Sequence, residues 1–292
     1  MKITEAFERG EFVVTAEVGP PKGFHIEHML EEAKTYLSGV TAVNVTDNQS
    51  SVMRLGSLAT CKALKDEGLT PIFQLTCRDR NRIALQSDLL SAAMFGIENL
   101  LLLTGDHTKL GDHPQAKPVF DLDSVSLIHT VKQLESGVDL GGNELVGEPP
   151  KFAKGAVVSP CSDSVDVQLA KMERKVAAGC DYFQTQAVYE PEKFIQFMEK
   201  AKQFGKPVQL GIVIPKSVGM CRYMNANVAG IHIPEEMIDE LKADKEKTKA
   251  GITGVEIAAR IIRECKPYCQ GVHIMALGWE SKVPELLKQA GI

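Results

Sequence analysis

Apolar and polar positions follow a long-period rhythm along this chain. A short apolar or β-branched run is followed each time by a longer stretch with apolar residues at helical spacing. The short runs are FVVTAEV (12–18), TAVNVTD (41–47), PIFQLTC (71–77), NLLLLTG (99–105), KGAVVSP (154–160), YFQTQAV (182–188), VQLGIVI (208–214) and VHIMALG (272–278). The stretches between them read as helices: HIEHMLEEAKTYL, RLGSLATCKALKDEG, RIALQSDLLSAAMFG, DSVSLIHTVKQLESG, VDVQLAKMERKVAAG and EPEKFIQFMEKAKQFG. The fourth opens on an Asp-Ser cap, the fifth stops at Gly179, and the sixth carries Pro191 in its first turn, where a missing N–H costs nothing. After the seventh run come two helical segments, PEEMIDELKADKE and GVEIAARIIREC, and SKVPELLKQAG closes the chain.

Eight strands, each followed by a helix, predict an α/β fold: one (β/α)8 barrel domain spanning residues 1–292. A doubly wound open sheet is the alternative, but no GxGxxG follows any strand. No linker or low-complexity segment divides the chain. Residues 106–123 form a Gly/Pro/Asp-rich loop on the C-terminal, catalytic face of such a barrel; residues 137–151 form another that leads back to a strand start on the opposite face.

Composition narrows the function. The 292 residues are 44% hydrophobic, enough for a full core, and the formal net charge is -5, which argues against a nucleic-acid or membrane-surface role. MKITEAFERGEF carries acidic residues where a signal peptide needs an apolar stretch, and no apolar run reaches the roughly 18 residues that span a bilayer. Seven scattered cysteines without paired CxxC spacing read as free thiols of a reducing cytoplasm.

In a (β/α)8 barrel the chemistry sits where strands end. Those positions hold Glu17; Thr46, Asp47 and Asn48; Gln74, Thr76 and Arg78; Asp106 and His107; Ser159 and Cys161; Gln184 and Gln186; Pro215, Lys216 and Ser217; and Trp279. Glu17 lies inside an apolar strand, before the turn Val18-Gly19-Pro20-Pro21-Lys22-Gly23. A carboxyl against an apolar wall can serve as a general acid near neutral pH. The other reading is a strand-end glutamate paired with a structural Arg or Lys. Asp106 follows four leucines and a Thr-Gly turn, and reads either as a mouth residue or as a turn cap. The two Gly-Asp-His repeats at 105–107 and 111–113 share no rigid helical face, so they read as a turn-rich loop and no metal site is expected. Gln184 and Gln186 share one strand face; they suit an amide-rich ring such as a pterin or flavin, or else bond to one another or to water. No strand end before the seventh offers an inward Schiff-base lysine, and HExxH, GxSxG and P-loop patterns are absent.

At these residues the sequence resembles the methylenetetrahydrofolate reductase family. AEVGPPKG (16–23), VNVTDNQSS, LTC (75–77), LLLTGD (101–106) and RKVAAGCDYFQTQAVY (174–189) match its strand-end motifs in order, over nearly the whole chain, and the likeness is to the short reductases of anaerobes that lack a regulatory domain. The resemblance implies flavin-dependent reduction of 5,10-methylenetetrahydrofolate to 5-methyltetrahydrofolate. Glu17 becomes the acid that promotes opening of the folate five-membered ring. Asp106 lies beside flavin and pterin, Gln186 bonds the pterin, Thr46 lies against the isoalloxazine, and Lys175 contacts the phosphate-bearing tail. Gln74, Thr104 and Ser159 complete the flavin site but depart from the histidine, arginine and aromatic residue of many relatives. Gln168 replaces an acidic residue, and Trp279 replaces an arginine that contacts the folate glutamate tail. These departures leave FAD and FMN both open and direct attention to an iron–sulfur or zinc-bearing partner subunit as electron source. An oligomer is also implied. The competing reading is a folate-binding methyltransferase barrel without redox chemistry.

Overall fold

The computed structural model describes residues 1–292, apart from the side chain of Lys245. Eight parallel strands close into a barrel in chain order: β1 Val13–Val18, β2 Ala42–Val45, β3 Pro71–Thr76, β4 Asn99–Leu103, β5 Ala153–Val158, β6 Tyr182–Ala187, β7 Val208–Val213 and β8 Gly271–Met275. β8 pairs with β1, so no edge remains. All eight predicted runs are strands. Most end one or two residues before the apolar run does, because the mouth residues turn outward; Thr46 and Asp47 lie just past β2.

Strand residues alternate between two environments, as period-two geometry requires. Val14, Ala16, Val43, Val45, Phe73 and Leu75 face the surrounding helices and join the main core. Val13, Ala42, Ile72, Leu101, Ala153 and Tyr182 face inward near the strand starts. Ile3 and Ala6 of the short helix Ile3–Glu8 join this inner cluster and close the bottom of the barrel. Asn99 anchors that helix: its side-chain oxygen accepts from the Ile3 N–H at 2.8 Å, and its nitrogen donates to the Met1 carbonyl.

The predicted helices form, and further ones join them. The six-residue Ile3–Glu8 was not predicted, and neither was Val218–Asn227, where Ser217 accepts from the Met220 N–H as N-cap. So β7 is followed by Val218–Asn227, Glu235–Ala243, the short Lys245–Lys249 and Ile252–Cys265, not by two segments. All seven cysteines are buried free thiols. Among the described residues, no helix is long and apolar enough to cross a membrane.

Candidate active site

The barrel mouth opens into a cavity of about 550 Å³. That volume falls within the roughly 300–1,000 Å³ of ordinary small-molecule sites. Its wall brings together Glu17 from β1, Gln74 from β3, Thr104 and Asp106 after β4, Ser159 after β5, Lys175 from the helix Val165–Ala178, and Gln186 from β6. Seven of the eight expected site residues therefore meet at one place. Thr46 does not line this wall; its hydroxyl is buried without a hydrogen-bond partner.

Glu17 is buried, and its surroundings differ from the apolar wall that the strand pattern suggested. Gln74 Nε2 donates to Oε2 at 3.1 Å, and Gln49 Nε2 donates to Oε1 at 3.2 Å. His273 Nε2 stands 3.7 Å from Oε2. Among the described residues no Arg or Lys pairs with this carboxylate, so the structural ion-pair reading does not hold. Gln49 reaches inward because the loop after β2 is bent through left-handed backbone at Asn48, Ser50 and Ser51. Residues other than glycine avoid that region.

Buried Arg78 fastens the loops around the mouth. Its guanidinium donates to the Asp106 carbonyl at 3.3 Å and the Asn48 carbonyl at 3.2 Å, and pairs with Asp79 at 2.7 Å. Asp47 also lines the cavity, but its carboxylate is taken up by its neighbours: it accepts from the Thr76 N–H and hydroxyl and from Arg80. Thr104 accepts from the Ser124 N–H through its hydroxyl, while Asp106 presents an exposed carboxylate to the cavity.

β6 treats its two glutamines differently. Its register against β7 shifts between Gln184 and Ala187, so period two no longer binds both side chains to one role. Gln184 lies at the cavity floor, bonded to Asn44 and Gln209; Gln186 stands half-buried on the wall, accepting from the Ala187 N–H. The far flank is cationic. Lys171, Arg174 and Lys175 line it, and among the described residues none pairs with a carboxylate. Burial lowers the Lys175 ammonium below the usual lysine value, and it donates to the Val157 carbonyl at 2.6 Å. In the Gly-Asp-His loop, Asp112 bonds Lys22, His113 and the Met53 N–H, while Asp106 stays apart at the mouth.

The profile of the family described as methylenetetrahydrofolate reductase matches residues 2–291. The chain belongs to the methylenetetrahydrofolate reductase family. It is similar to 5,10-methylenetetrahydrofolate reductase of Escherichia coli, 24% identical over 265 residues, covering 87% of this chain and 82% of that one. It is also similar to methylenetetrahydrofolate reductase 2 of Schizosaccharomyces pombe, 25% identical over 248 residues, or 81% of this chain and 38% of that longer one. Among solved structures, an uncharacterized Clostridium thermocellum protein that binds two copies of 5-methyl-5,6,7,8-tetrahydrofolic acid shares the fold, with TM-score 0.68, 15% identity and coverage of 99% and 98%.

Sequence reasoning passed over His273, Gln49, Lys171 and Arg174. His273 was within reach: on β8 it alternates with buried Val272 and Ile274, so period two turns it into the barrel. Gln49 carried no such signal, since its direction depends on loop backbone alone.

Proposed function

We propose that this chain reduces 5,10-methylenetetrahydrofolate to 5-methyltetrahydrofolate with a bound flavin. The observation that carries the reading is the convergence of Glu17, Asp106 and Gln186, from three separate strand ends, on one cavity. Family membership and the folate ligand of the similar Clostridium thermocellum protein support it.

The residues present fit a flavin. A buried ammonium whose partner is one backbone carbonyl, flanked by Lys171 and Arg174, suits the phosphate of FMN or FAD. The flavin, when bound, supplies the hydride. Glu17 gives a proton to an amine nitrogen of the folate five-membered ring, and the C–N bond opens toward an iminium carbon that accepts the hydride. Gln186 and Asp106 orient the pterin through hydrogen bonds. Gln49 and Gln74 hold the Glu17 carboxylate in place. An electron-supplying iron–sulfur or zinc-bearing partner, an oligomeric assembly and a cytoplasmic location complete the proposal.

Glu17→Gln tests it. Loss of a positioned general acid slows folate turnover about 10²–10⁴-fold. Flavin binding and dithionite reduction should survive in the variant. Unchanged turnover would remove Glu17 from the mechanism. A protein that carries no flavin, cannot be reconstituted with FAD or FMN, and still transfers methyl groups from folate would instead be a methyltransferase.

A further inference from the structure

Beneath the mouth, the barrel interior holds a layer of amides and hydroxyls whose donors and acceptors can be assigned in sequence. Gln209 is the anchor. Its Nε2 lies 3.1 Å from the Val13 carbonyl and 3.2 Å from the Val272 carbonyl, and carbonyls only accept. The amide therefore cannot be flipped, and its Oε1 accepts from Gln184 Nε2 at 3.0 Å. That fixes Gln184, whose Oε1 accepts from Asn44 Nδ2 at 2.9 Å.

Thr15 Oγ1 then has three polar side-chain neighbours: Gln184 Nε2 and Gln209 Nε2, each at 3.2 Å, and His273 Nδ1 at 3.0 Å. Amide nitrogens cannot accept. The Thr15 hydroxyl hydrogen has one destination, His273 Nδ1, so the imidazole proton of the neutral ring sits on Nε2, facing Glu17 Oε2 at 3.7 Å.

We propose that His273 is a positioning residue for Glu17. Thr15 holds it as the neutral, Nε2-protonated tautomer, ready to donate to the carboxylate that remains after Glu17 has given up its proton. In that step the O–H bond of Glu17 breaks, an N–H bond forms on the folate amine, and the pair from the opening C–N bond goes to that nitrogen. The distance of 3.7 Å is longer than a hydrogen bond, and catalytic contacts of this kind tighten once substrate is seated. A donor that engages only as charge appears on Glu17 favours the transition state over the ground state. The inference rests on Glu17 being the acid.

The experiment uses the flavin-loaded protein. Nitrogen-15 NMR of labelled histidine should show His273 protonated at Nε2 and bare at Nδ1 in the wild type. In Thr15→Val, which keeps the shape and loses the hydroxyl, the tautomers should mix. Oxidation of pre-reduced flavin by methylenetetrahydrofolate should then slow by on the order of a hundredfold, with folate affinity little changed. Thr15→Ser should restore both readouts. Should Thr15→Val fail to fold, His273→Gln, which can still offer an N–H near Nε2, should outpace His273→Asn, which cannot.

Protonation of His273 at Nδ1, a wild-type rate in Thr15→Val, equal losses in the Ser and Val variants, or equal rates in His273→Gln and His273→Asn would each overturn the proposal. If Nδ1 is protonated while Glu17→Gln is slow, only the role of His273 falls. If Glu17→Gln runs at the wild-type rate, the acid itself falls, whatever the tautomer.

Discussion

Lys175 separates folding from binding in a measurable way. The residue is 8% exposed, no carboxylate pairs with it among the described residues, and burial holds its pKa below the ordinary 10.5. The unfolded chain thus holds this proton more tightly than the flavin-free fold. Between the depressed folded value and 10.5 the unfolded state binds more protons, so stability should rise with pH through that window; the burial penalty is present in full below it. Lys175→Met keeps a long, unbranched side chain and deletes the charge. The flavin-free variant should be at least as stable as wild type at neutral pH, and its alkaline rise in stability should flatten. Flavin binding should move the other way. A hydrogen bond to a charged group contributes about 1.5–3 kcal/mol. At 1.4 kcal/mol per decade, its loss weakens binding about 10- to 140-fold. Fluorescence titration with FMN and FAD reads the affinity, and thermal melts of flavin-free protein across pH read the stability. An unchanged dissociation constant, or a flavin-free variant that melts several degrees lower, would show that Lys175 serves the Val157 carbonyl and not a phosphate.

Three other perturbations address the frame of the site. In Gly211→Ala the new Cβ would stand 2.1 Å from the Thr185 carbonyl oxygen and 2.9 Å from that of Gln186, both backbone, so β6 must move. Denaturant unfolding should show a loss of about 1–3 kcal/mol or more, with weakened folate binding as Gln186 shifts. Ser50→Gly should stabilise by up to about 1 kcal/mol, since Ser50 sits at φ 54° in left-handed backbone; a lower melting temperature would contradict the strain assigned there. Thiol titration at neutral pH should leave the native cysteines nearly unreactive. Burial pushes Cys77 up to about 12 and Cys161, Cys221 and Cys269 up to about 11, and all seven should react once the chain is unfolded.

The barrel was legible because parallel strands covered on both faces are written as near-continuous apolar runs. Helix existence was equally plain where a broad apolar stripe meets the barrel, as in Ile252–Cys265 with nine buried residues. Val218–Asn227 buries only Cys221 and Met224 and contains Gly219, so its periodicity is thin, and the Ser217 cap is its main signature. Ile3–Glu8 is too short to declare itself by propensity. Its cause is tertiary, for Ile3 and Ala6 fill the barrel floor. The site divides along the same line. Glu17 and Gln74 follow from strand alternation, whereas Gln49 arrives through three left-handed residues, and the role of Gln186 depends on a register shift that no period predicts.

The amide layer explains how a barrel can carry an orientable acid at all. An apolar layer at the level of Thr15, Asn44, Gln184 and Gln209 would pack well but could not dictate the tautomer of a neighbouring imidazole or the direction of a carboxylate. Buried amides can, provided every donor finds an acceptor, because an unsatisfied one costs about 1–3 kcal/mol. Here the chain of bonds starts on main-chain carbonyls of β1 and β8, runs through Gln209 and Gln184 to Thr15 and His273, and ends facing Glu17. β1 and β8 are also the pair that closes the barrel. Closure of the sheet and orientation of the acid therefore draw on the same two strands, so a disturbance at that seam should reach Glu17 before it reaches the cationic flank around Lys175, which hangs from the helix after β5.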